Sequence, residues 1–135
     1  MRPAGANWGG ALSASPYLAS ARLAADKTAS TTRSALLACA SFTPSAAAVT
    51  VHFTCSFGGN VAGSFLLEAD GVQVGQTGSY APNGRCSVAI AQRLTVAPGM
   101  PVVIGVTWMA KQSGTLVCQP VSAPDLDHAS IVVTA

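Results

Sequence analysis

Charge is what this 135-residue chain has least of. Asp, Glu, Lys and Arg make up 9% of it, seven cations against five acids, where an ordinary soluble domain carries about 25%. With half the residues apolar, so little charge excludes an intrinsically disordered chain, which combines low hydrophobicity with high net charge. It also excludes a coiled coil, whose flanking positions call for many Glu and Lys. No basic run occurs, so the electrostatic footprint of a nucleic-acid-binding face is missing and no nucleic-acid partner is expected. No apolar run reaches the ~18 residues of a membrane-spanning helix, so no membrane partner is expected either. The opening MRPAGANWGGALSASPYLASARLAAD is interrupted by Gly, Asn, Ser and Pro. It reads as no signal peptide, and the product is expected to be made in a cytoplasm.

Groups for chemistry are equally sparse. The acids are Asp26, Glu68, Asp70, Asp125 and Asp127, and the histidines are His52 and His128. No GxSxG elbow occurs, and Gly63-Ser64 lacks the second glycine. His128 follows Asp127, with Asp125 two residues further back, but calcium takes roughly six or more oxygens and two carboxylates fall short. Turn chemistry before a strand is the simpler reading of that cluster. His52 falls on the polar side of its strand. No enzyme, cofactor or metal site is expected.

Cys39, Cys55, Cys86 and Cys118 contain no CxxC pair, which removes the usual zinc and thioredoxin signals. They read as buried thiols packing as small hydrophobes, with a disulfide left open. Cys55, Cys86 and Cys118 each fall in apolar register and are expected to face inward.

What the chain has in abundance is period-two alternation. Val49, Val51, Phe53, Cys55 and Phe57 alternate with Thr50, His52, Thr54 and Ser56, which predicts a half-buried strand over 48–57. Further strands are predicted over 64–69, 72–75, 85–96, 101–109, 115–119 and 128–134. A less regular one covers 34–42, and another falls within 21–32. Asp70-Gly71 between two apolar runs signals a hairpin, and Ala97-Pro98-Gly99 a turn. Gly75–Gly84 and Pro120–Asp127 read as loops. The expectation is an all-β fold: an antiparallel, jelly-roll-like β-sandwich of about eight strands over residues 21–135. Residues 1–20 read as an extended N-terminal arm, with a helical turn near Tyr17–Ala25.

The stretch VAPGMPVVIGVTWMAKQSGTLVCQP, followed by PDLDHASIVVTA, resembles the C-terminal half of small β-sandwich proteins of tailed-bacteriophage virions. The matching residues are Pro98, Gly99, Val106, Trp108, Gly114, Thr115, His128 and Ala129, and ARLAADKTASTT resembles the first strand of those proteins. The likeness covers roughly residues 21–135, through short structural motifs. It implies a structural virion protein, a capsid decoration (cement) protein on the outer surface of the head, made in the host cytoplasm. Its partners would be the major capsid protein and neighbouring copies of itself. The alternative is a minor tail protein or a receptor- or glycan-binding module using loops Gly75–Gly84 and Pro120–Asp127. The four cysteines and the short Gly75–Gly84 loop depart from the pattern.

Two features of the chain bear on contacts. Ala89, Ala91, Val103, Met109, Val117 and Val132 fall opposite the expected core, so many outward positions are small or apolar. That predicts burial between subunits, a homo-oligomer such as a trimer or a lattice. Trp108 belongs to the core register, whereas Trp8 and Tyr17 lie in the arm, where an aromatic needs a surface to bury against. Arg2, Trp8, Tyr17 and Arg22 are therefore the expected partner-binding residues.

Overall fold

Alternation becomes architecture wherever one face of a strand has a core to cover. The computed structural model describes residues 17–80 and 84–135. Among these, strands β1 (Tyr17–Arg22), β2 (Lys27–Ala29), β3 (Ser34–Ala38), β4 (Ala48–Gly59) and β5 (Ala62–Ala69) form the first half. Strands β6 (Val72–Tyr80), β7 (Gly84–Thr95), β8 (Ile104–Ala110), β9 (Leu116–Cys118) and β10 (His128–Thr134) form the second. All pairings are antiparallel and fall into two sheets.

In sheet one, β4 pairs with β7 along its whole length. Its other edge is shared, with β10 covering Thr50–Ser56 and β9 covering Gly58 and Gly59. Outside these, β1 pairs with β10 and β2 with β9. The ten strands therefore occupy eight columns, because the first (β1 and β2) and the last (β9 and β10) are each broken in two. Sheet two runs β3-β8-β5-β6. Counted by column, the first lies beside the last, the second beside the seventh, the third beside the sixth and the fourth beside the fifth. This is the order of a jelly roll.

Between the sheets lies one core. Phe53, Phe57, Phe65 and Trp108 are all fully buried. Phe65 sits at their centre, with ring centroids 6.0, 5.1 and 5.9 Å from Phe53, Phe57 and Trp108. Val49, Val51, Ile104, Val106, Leu116, Ile131 and Val133 surround them. Cys55 and Cys118 face inward with no exposure, while Cys86 is half-buried at the margin of the core.

The structure corrects several sequence readings. The helical turn near Tyr17–Ala25 is strand β1, an edge strand held by β10. Residues 17–20, assigned to the arm, thus begin the sheet, and 21–32 holds the end of β1 together with β2. The predicted loop from Gly75 is strand as far as Tyr80, paired with β5 through Ser79↔Gly63 and Tyr80↔Ala62. Edge strands need no strict apolar alternation, so both were concealed. The strand predicted over 101–109 begins only at Ile104, with Val102 forming an isolated bridge to Phe42. Gln92, which interrupts the apolar register of β7, donates from Nε2 to the Val74 carbonyl at 2.5 Å and links the β7 edge of sheet one to β6 of sheet two. The Asp70-Gly71 hairpin is present with both residues at positive φ, 51° and 82°. Asp70 also caps the neighbouring loop, accepting the Val103 N–H on Oδ1 at 2.9 Å.

Candidate functional site

The outer face of sheet one is built from the positions that alternate with the core. Cross-strand register sets them in rows: Arg22, Ser130, Thr54 and Ala89; then Ser20, Val132, His52 and Ala91; then Tyr17, Thr134, Thr50 and Arg93. His128, Ser56 and Ser87 extend the face at one end. Apart from Tyr17, His52, His128 and the arginines, every one of these side chains is small or β-branched. Short hydroxyl contacts tie its rows together, with Thr54 Oγ1 and Ser130 Oγ 3.1 Å apart and Ser56 Oγ and Ser87 Oγ 3.0 Å apart. Arg93 donates from Nη1 to Thr50 Oγ1 at 2.8 Å, which lays the guanidinium along the face instead of away from it.

Strands β1, β4, β7 and β10 contain no Asp or Glu. Arg22 and Arg93 lie at diagonal corners, and His52 lies between Val132 and Ala91 in the middle. At the β1–β10 margin, Ser20, Arg22, Ser130 and Val132 line a shallow groove of about 420 Å³. The result is a weakly basic field in which small side chains predominate. Ala89 and Ala91 are exposed on it and Val132 is half-buried, so these three residues point outward as the sequence predicts.

No protein-family model matches the chain, and no curated protein matches it.

One end of this face is closed by a charged lock. Asp127 is buried, accepts the Gln119 N–H on Oδ2 at 2.7 Å, and has Oδ1 3.2 Å from Arg85 Nε. The Arg85–Asp127 contact is an ion pair without hydrogen-bond alignment, since Oδ1 has no hydrogen-bond partner. Arg85 reaches it by lying across Gly58, where a Cβ would stand 2.1 Å from its Nη1. A second acid, Asp26, fastens the 119–127 loop to the break between β1 and β2. It accepts the N–H groups of Val121 and Ser122 at 3.0 and 3.2 Å, as well as the Ser122 hydroxyl. The Ser122 hydroxyl holds the Asp26 carboxyl below its ordinary pKa of 3.8; burial opposes this and the two backbone bonds assist it.

Of the residues expected to bind a partner, Tyr17 and Arg22 lie on β1 with both side chains exposed. Arg2 and Trp8 lie outside the described residues. The cluster at 125–128 is dispersed: Asp127 turns into the Arg85 lock, while Asp125 and His128 are exposed. Among the described residues, no group of three or more His, Cys, Asp or Glu is placed to hold a metal ion. Sequence reasoning did not find the Arg85–Asp127 and Asp26–Ser122 contacts, which join residues far apart in the chain and carry no local pattern.

Proposed function

We propose that the chain is a structural, surface-docking protein of a tailed-bacteriophage virion, a capsid decoration protein that attaches through the outer face of sheet one. The observation that carries this reading is the acid-free field, mostly of small side chains, bounded by Arg22 and Arg93. Small side chains suit close face-to-face packing, and one sign of charge selects a partner of the other sign. Tyr17 and Arg22 lie at the β1 margin of this field, where the chain leads back toward Trp8 and Arg2. Attachment through this face would be to the major capsid protein and to neighbouring copies. The fold supports the reading in a general way only, because jelly rolls serve many functions. The tail-module alternative is the weaker, since much of the Gly75–Gly84 segment it would use as a loop belongs to strand β6.

The test is co-sedimentation of the purified chain with undecorated heads, comparing wild type with Arg22→Glu/Arg93→Glu. The reading expects saturable decoration by wild type and at least ~10-fold weaker binding by the variant, equivalent to about 1.4 kcal/mol, at unchanged Tm. Equal occupancy by both would move attachment off this face. No decoration by wild type would remove the assignment to a head surface.

A further inference from the structure

Cys55 and Cys118 lie at the seam where the partner of β4 changes from β10 to β9. Their sulfurs are 4.0 Å apart and neither residue has any exposed surface. Cys118 closes β9, and its thiol also donates to the Ser56 carbonyl at 3.4 Å. Two inward-facing thiols in sulfur contact, from different columns of one sheet, need only a short approach to reach the ~2.05 Å of a disulfide.

We propose that Cys55 and Cys118 form an oxidation-dependent staple, free as thiols under reducing conditions and joined as a disulfide under oxidising ones. The reaction is thiol–disulfide exchange with a low-molecular-weight disulfide such as oxidised glutathione. The Cys118 thiolate attacks one glutathione sulfur, and the first glutathione thiolate leaves. The Cys55 thiolate then attacks the Cys118 sulfur of the mixed disulfide and expels the second. The two protein protons end on the two glutathione thiols, so two reduced glutathiones form for each bridge. Cys118 attacks first because it is carried on the three-residue β9, whereas Cys55 lies within the twelve-residue β4.

Burial sets the rate. No oxidant reaches Cys118 while β9 is seated, yet β9 is only three residues long and is flanked by the 111–115 and 119–127 connections. Reaction requires β9 to lift, so bridging proceeds at the rate of a local opening. Once formed, the bridge joins residues 63 apart in sequence and removes conformations from the unfolded chain. This inference is independent of the docking surface.

The reduced, folded full-length chain is incubated with oxidised glutathione, its remaining thiols are alkylated, and the cross-linked peptides are mapped by mass spectrometry. The expected product is a Cys55–Cys118 peptide, with Cys39 and Cys86 outside it and Tm raised by more than about 5 °C. Cys118→Ala abolishes both changes, and Cys39→Ala leaves them intact. Because wild type alone gives the peptide map, a poorly folding variant does not leave the question open. A cross-link that forms only in denaturant, a bridge to Cys39 or Cys86, or a Cys118 that labels with a small thiol reagent but never pairs would each overturn the proposal.

Discussion

At the residue scale, the closest interdependence is between a side chain and the absence of one. Arg85 reaches Asp127 because position 58 is glycine, so Gly58→Ala and Arg85→Ala remove the same contact by different routes. Each leaves the buried Asp127 carboxylate without its cation, at a cost of about 1–3 kcal/mol. The double variant is expected to cost less than the sum of the two, as for residues sharing one interaction, and urea unfolding midpoints of the three variants check this. Phe65 provides a contrast with no charge involved. Its ring touches three other aromatic rings, and Phe65→Ala is expected to cost about 3–5 kcal/mol in the same assay.

At the scale of elements, the 119–127 connection and the break between β1 and β2 are joined through Asp26. The folded pKa of Asp26 lies below its unfolded value of 3.8, so its contribution to stability is present above that value and is lost as pH falls through the folded pKa. Wild type and Asp26→Asn are therefore expected to differ in stability near neutrality and to converge below about pH 3.8, as followed by thermal unfolding across the acid range. Ser122→Ala should raise the Asp26 pKa toward 3.8 in an NMR titration, since the Ser122 hydroxyl is the largest cause of its depression.

The elements also show why part of the fold was legible and part was not. β4, β7 and β10 each pack one face on the core, so alternating residues such as Val49, Val51 and Phe53 marked them in the sequence. β1, β2 and β6 are edge strands or short segments, and Gln73, Gly75 and Gln76 in β6 obey pairing with β5 more than burial. Outward small residues such as Ala89, Ala91 and Val132 were readable for the same reason as the inward ones, because a strand that fixes one face fixes the other. Their assembly with Arg22 and Arg93 into one field was not, because it depends on column order and register.

At the scale of the whole molecule, the jelly-roll order separates the two faces of the sandwich. Sheet one presents its acid-free field. On sheet two, Arg33 lies across β8 to Glu68, with its Nε donating to Thr107 Oγ1 at 2.8 Å and Thr107 in turn donating to Glu68 at 3.1 Å. Charge reversal on sheet two, by Glu68→Lys, is accordingly expected to lower stability by about 1 kcal/mol or less while leaving head decoration unchanged. Gel filtration and the co-sedimentation assay together distinguish this from the outcome expected for Arg22→Glu/Arg93→Glu.

The pairing of the first column with the last also has a consequence in time. Tyr17 faces Thr134 across the β1–β10 ladder, and β10 is the strand that lies between β1 and β4. On a ribosome, residues 17–22 emerge before all of β2 to β9 and wait for those strands to be made before their partner exists. No nascent fragment that stops short of His128 can join β1 to β4, so sheet one closes only after β10 has been made. Until then the chain exposes unpaired strand edges, the kind of surface that invites aggregation. A series of stalled nascent chains of increasing length should therefore gain protease resistance in one late step, once β10 has cleared the exit tunnel.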